Sequence, residues 1–139
     1  MNEAPTNIGT PPRPRAVLPV FHIGANKAGS TTLQQALFAR HPGVLNLAKP
    51  KQANVPEVQR AIDIIFKACD NRRKNVGPLE TEALKQLWYR AVAPAAIDGR
   101  IPVVSHEEMI RHQFYGGLDP ERLPKTVVAM AGPVRVAII

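Results

Sequence analysis

The chain has little cysteine, few aromatics and no long apolar run, and each shortage excludes something. Cys69 is the only cysteine among 139 residues, so neither an intrachain disulfide framework nor a cysteine-based metal site can be built from it. It falls on the apolar side of a helical pattern, where a small core residue is the plainer reading than a nucleophile. Aromatics make up 5% of the chain, too few for a platform that stacks single-stranded bases. No apolar stretch approaches the roughly 20 residues of a membrane helix, and the first residues lack the apolar segment of a signal peptide. A soluble, cytoplasmic protein without a membrane span is the resulting expectation.

What is present is a chain long enough for one domain with a real core, at 45% hydrophobic residues. The net charge of +7 favours anionic partners. The basic residues are scattered and no recognition motif accompanies them, so nucleic acid is not expected as a partner. Residues 1–15 are polar and proline-rich (Pro5, Pro11, Pro12, Pro14) and read as a disordered leader. Residues 16–139 form the domain.

One stretch organises that domain: Ile23-Gly24-Ala25-Asn26-Lys27-Ala28-Gly29-Ser30-Thr31-Thr32. An apolar run over residues 17–23 enters it and a helical pattern over residues 30–40 leaves it. Pro19 suggests that the strand proper begins at Val20. Strand, glycine-bearing turn and helix make an anion cradle, because a helix start carries unpaired N–H groups and a partial positive charge. Lys27 adds a point charge, and Ser30, Thr31 and Thr32 add hydroxyl donors. The spacing is not that of a Walker A loop, G-x-x-x-x-G-K-S/T. Gly24 and Gly29 fit it, but Ser30 stands where the lysine should be and the lysine comes earlier.

Downstream, strand and helix signals alternate. In the first helix Leu33, Ala36, Leu37 and Arg40 share a face, and Pro42 ends it. Residues 44–47 could form a second strand. Pro56 suits the first turn of a helix carrying Val58, Ala61, Ile62, Ile65, Phe66 and Cys69. Pro78 opens another, with Leu84, Leu87, Trp88, Ala91 and Val92 on one face. Pro94 is expected to interrupt it before the Asp98-Gly99 turn. Residues 101–104 form the third strand. Ser105 and Glu108 have capping-box spacing, which predicts a helix bearing Met109, Ile110, Gln113 and Phe114. A last helix begins near Asp119-Pro120 or Leu123-Pro124 and stops at Gly132-Pro133. Residues 134–139 then read as a buried strand. The expected fold class is α/β: a P-loop NTPase-like parallel sheet flanked by helices.

The segment HIGANKAGSTTLQQALFARHPGV resembles the 5′-phosphosulfate loop and first helix of the sulfotransferases that use 3′-phosphoadenosine 5′-phosphosulfate (PAPS). Lys27, Gly29, Ser30, Thr31, Leu33, His41 and Pro42 fall on that pattern. VVSHEEM resembles the family's strand followed by Ser-x-Glu, and LPKTVVAMAGPVRVAII its helix and strand before the 3′-phosphate site. The resemblance implies PAPS as cofactor, held by Lys27, Ala28, Gly29, Ser30, Thr31 and Thr32, with Lys27 also stabilising the leaving phosphate. It implies a general base at the carboxyl end of a strand, where His106 and Glu107 stand. His41, Glu57 and Glu108 are further candidates for the base, although His41 also reads as a helix terminator and Glu108 as a cap, and Lys49 could face the cofactor or acceptor or be a solvated surface lysine. The acceptor, a carbohydrate or small molecule bearing a hydroxyl or amine, is not specified.

In that family an arginine follows the last of these strands and binds the 3′-phosphate. Here the sequence reaches Ile139 first, so a domain truncated at its C-terminus, with impaired transfer, is the expectation. An alternative register places Ala131 where the arginine would stand and fits less well. The competing reading is a non-catalytic P-loop-like binding module or inactive fragment. A nucleotide kinase is disfavoured by the displaced lysine.

Overall fold

The computed structural model describes residues 17–23, 30–47, 55–72, 79–106 and 117–138. Four strands are present among them: β1 (Val20–Ile23), β2 (Val44–Asn46), β3 (Ile101–Ser105) and β4 (Arg135–Ile138). They pair in the order β2-β3-β1-β4, all in parallel. Parallel neighbours need long crossovers, and helices supply them. Helix α1 begins at Ser30–Thr32 and continues as a π-wound stretch over Leu33–Phe38. Helices α2 (Pro56–Cys69) and α3 (Thr81–Asp98) join β2 to β3, and α4 (Arg122–Ala131) precedes β4.

The strand order determines which face each helix covers. The connection from β1 to β2 moves toward one edge of the sheet, and the two later connections move toward the other. Right-handed crossovers then place α1 on one face and α2, α3 and α4 on the opposite one. Neighbouring residues of β1 bear this out, since successive strand side chains point to opposite faces. Phe21 stacks on Trp88 of α3, ring centroids 5.7 Å apart. His22 meets Phe38 of the π-wound stretch at 5.5 Å.

The core lies on the three-helix face. Val58, Ile62 and Ile65 from α2, Leu84, Leu87 and Trp88 from α3, and Leu123, Val127 and Met130 from α4 close over Phe21 and Val104. The helical spacing read for α2 is the one observed. Pro56 occupies its first turn, and Val58, Ala61, Ile62, Ile65 and Cys69 are buried. Its C-terminal end is tied to the start of α4: Asp119 N donates to Cys69 O at 2.8 Å, and Arg122 Nη1 to Ala68 O at 3.1 Å.

Four expectations are corrected. Pro94 does not interrupt α3, which runs through it to Asp98. A proline removes one donor and crowds one carbonyl, and the buried residues Ala91 and Ala95 on either side hold the helix to the core. Gly99 ends it, with φ 72° and its N–H donated to Ala95 O at 2.9 Å. The second correction is the face of α1: Gln34 is buried, whereas Ala36, Leu37 and Arg40 are exposed. Third, β4 is an edge strand, not a buried one, with Val136 56% and Ile138 71% exposed. Fourth, β3 runs one residue further than expected, to Ser105, which is fully buried. The helix read after it with its capping partner Glu108, residues 24–29, and Pro78 lie outside the described residues.

Candidate functional site at the carboxyl ends of the central strands

Strands β1 and β3 are neighbours, and their outgoing connections cross to opposite faces of the sheet. In open α/β sheets such a divergence marks where ligands bind, outside the carboxyl ends of the strands. Three of the sequence features meet there. Ile23 ends β1, Ser105 ends β3 with His106 directly after it, and α1 starts at Ser30.

At these strand ends lies a buried polar network. His22 and Ser105 are register partners on adjacent strands, on the face that α1 covers. His22 Nδ1 lies 2.7 Å from Ser105 Oγ. Gln34 Nε2 donates to the same Oγ at 2.8 Å and approaches the Ser105 carbonyl at 3.5 Å. All three side chains are essentially inaccessible, at 2%, 0% and 1% exposure in that order. With Gln34 donating to the serine, Ser105 Oγ still has an O–H to donate to Nδ1 and a second lone pair with which to accept from it, so the bond forms with either imidazole tautomer. Buried polar groups are tolerated when so paired.

The residues assigned to the site from sequence fall as follows. Ser30 opens α1, and the side chains of Thr31 and Thr32 are exposed in its first turn, so both hydroxyls can reach a solvent-borne ligand. Lys27, Ala28, Gly29 and Glu107 lie outside the described residues, as do Lys49 and Glu108. His106 is buried at the end of β3, on the face opposite Ser105. Its ring stands edge-on to Phe66 of α2, centroids 5.3 Å apart, and its N–H continues the parallel ladder to His22 O at 3.0 Å. His41 serves the turn between α1 and β2: Nδ1 accepts the Gly43 N–H at 3.0 Å. Glu57 sits in the first turn of α2, where a carboxylate complements the helix dipole. Among the described residues no cluster of His, Cys, Asp or Glu could hold a metal ion, and no helix is long and apolar enough to cross a membrane.

Sequence reading missed the His22–Ser105–Gln34 network. A signal was present: a histidine inside an apolar strand needs a partner, and a glutamine between Leu33 and Leu37 could supply one. Neither residue names the other, because 83 positions separate His22 from Ser105 and 71 separate Gln34 from it. Comparisons of the chain with protein-family models, curated proteins and solved structures found no match.

Proposed function

We propose that this chain is a sulfotransferase-like domain that binds the phosphosulfate end of PAPS in the loop between β1 and α1. The observation that supports it best is placement. Residues 24–29, which carry Lys27, connect the carboxyl end of β1, the strand flanked by β3 and β4, to the start of α1, and open α/β sheets bind ligands outside the carboxyl ends of such strands. A P-loop-like sheet is the finer fold reading that goes with it.

The residues fit such a ligand. Thr31 and Thr32 are exposed at the start of α1, where hydroxyl and backbone donors favour an anion. Lys27 would carry the fixed positive charge opposite the leaving phosphate, whose charge grows as the sulfur–oxygen bond breaks. PAPS supplies the sulfuryl group, which passes to an acceptor hydroxyl or amine. The acceptor proton needs a base, and His106 and Glu107 are the candidates.

A second reading, an anion-binding module that does not transfer, draws on one observation. His106 is buried against Phe66, and a base must come within hydrogen-bond reach of the acceptor. Calorimetric titration with PAPS, with the desulfated nucleotide and with ATP tests both. The first reading expects the two adenosine 3′-phosphate nucleotides to bind more tightly than ATP, and Lys27→Ala to weaken them by about 10-fold or more. No binding of either, or equal binding by Lys27→Ala, would sink it. Binding without sulfuryl transfer to any hydroxyl or amine acceptor, in a chain with His106 and Glu107 intact, would favour the module.

A further inference from the structure

We propose that Gln34, Ser105 and His22 form a clamp that seats α1 on the sheet, making them positioning residues for the anion site. The proposal rests on the reading of the α1 start as the anion-binding end. Gln34 is the one buried residue in the stretch 31–40. Leu37, which the helical pattern would turn inward, is 43% exposed, and Leu33 is only half-buried. The anchor of this helix is therefore polar, and it is directed at the last residue of the strand beside β1.

That choice has a physical consequence. An isolated helix of nine residues, three of them α-wound and six π-wound, has little stability of its own, so its position depends on what holds it. Apolar contacts are non-directional and tolerate sliding and rotation. A side-chain amide donating at 2.8 Å to a hydroxyl that is itself 2.7 Å from an imidazole fixes direction as well as distance. Phe38, one helical turn beyond Gln34, rests edge-on against the same His22, so α1 is registered on β1 and β3 together. π-wound turns recur at functional sites, and this one carries the anchor. Two residues before the anchor stand Thr32 and, next to it, Thr31, both exposed. A rotation of α1 would redirect their hydroxyls and N–H groups.

The test uses Gln34→Met, which keeps the length and removes the donor, together with Ser105→Ala and the double variant. Affinity for the desulfated nucleotide is measured at a temperature where each variant is fully folded. Each single variant is expected to weaken binding about 10-fold. The double variant is expected to lose no more than the larger single loss, because the two act through one bond. Amide exchange at Ala39 and His41, at the end of the π-wound stretch, is expected to accelerate about 10-fold while α2 and α3 stay unchanged. Wild-type affinity in folded Gln34→Met and Ser105→Ala overturns the clamp and leaves a packing role. If the unaltered chain binds no such nucleotide, the functional reading fails by itself and exchange still decides: unchanged exchange at Ala39 and His41 overturns the clamp. Should Gln34→Met fail to fold, Ser105→Ala, which leaves Gln34 in place, separates clamp from packing by the same two measurements.

Discussion

Cys69 illustrates how an environment assigns a role to a single side chain. Its thiol is buried where α2 meets α4 and donates to Thr126 Oγ1 at 3.7 Å. Burial pushes its pKa up, and the Thr126 hydrogen bond and the Arg122 charge offset this only in part. Because the thiolate is the reactive form, an aromatic disulfide reagent at pH 8 should label the native chain about 100-fold more slowly than the unfolded one. Equal rates would place the thiol at the surface. Trp88 is a packing residue in the same sense. It is buried, stacks on Phe21, and is the chain's single tryptophan. Trp88→Ala should cost about 3–5 kcal/mol, read from denaturant unfolding, whereas a ligand-contacting tryptophan at the surface would cost little stability.

At the scale of elements, punctuation by proline and aspartate carries the measurable effects. Pro94 stays inside α3 and is exposed. Pro94→Ala should restore a backbone donor and relieve crowding, raising stability by about 1–3 kcal/mol; a lower Tm would show that the helix needs its proline. Asp119 caps α4 by accepting the N–H groups of Glu121 and Arg122 at 2.9 and 3.0 Å. Those two bonds hold its carboxyl below the ordinary aspartate range, Arg122's bond contributing most. A depressed folded pKa contributes stability above the unfolded value of about 3.9 and loses it as pH falls through the folded one. The Tm gap between the wild type and Asp119→Ala should therefore be constant above about pH 5 and shrink below about pH 4. A gap that persists undiminished at pH 2 would assign the effect to something other than the carboxylate. The spacing of α2 and the glycine stop of α3 were legible because both are local. Which side of α1 faces inward was not, since helical periodicity ranks leucine above glutamine and only the sheet reveals the partner.

For the whole molecule, the sheet is unequally protected. The core closes over Phe21 and Val104, but β4 has one strand neighbour and carries exposed Val136 and Ile138. Beside it an apolar cavity of about 510 Å³ opens between α4 and the edge, with Phe21, Ile23, Leu123, Val127 and Val136 in its wall. An edge of unpaired N–H and C=O groups with apolar side chains is a template for association, and a charge placed there blunts it. Ile138→Lys should lower self-association in sedimentation velocity at high protein concentration while leaving the thermal midpoint within a few degrees. Unchanged association would exonerate this edge.

By itself the sequence determined the alternation of strands and helices, the starts and stops set by Pro56, Gly99 and Gly132, and the anion-favouring composition of the residues around Lys27. All of these are short-range, arising from side-chain period, backbone freedom and capping, and need only neighbours along the chain. Tertiary structure alone decided the order β2-β3-β1-β4, the exposure of β4, the passage of α3 through Pro94, and the role of Ser105. The serine shows the reason most clearly. Its neighbours along the chain offer it only a cap's spacing to Glu108, whereas the sheet places His22 and Gln34 within 2.8 Å of its hydroxyl. Burial gives that pairing its weight, because a hydroxyl shut away from water costs free energy unless protein groups replace the lost hydrogen bonds.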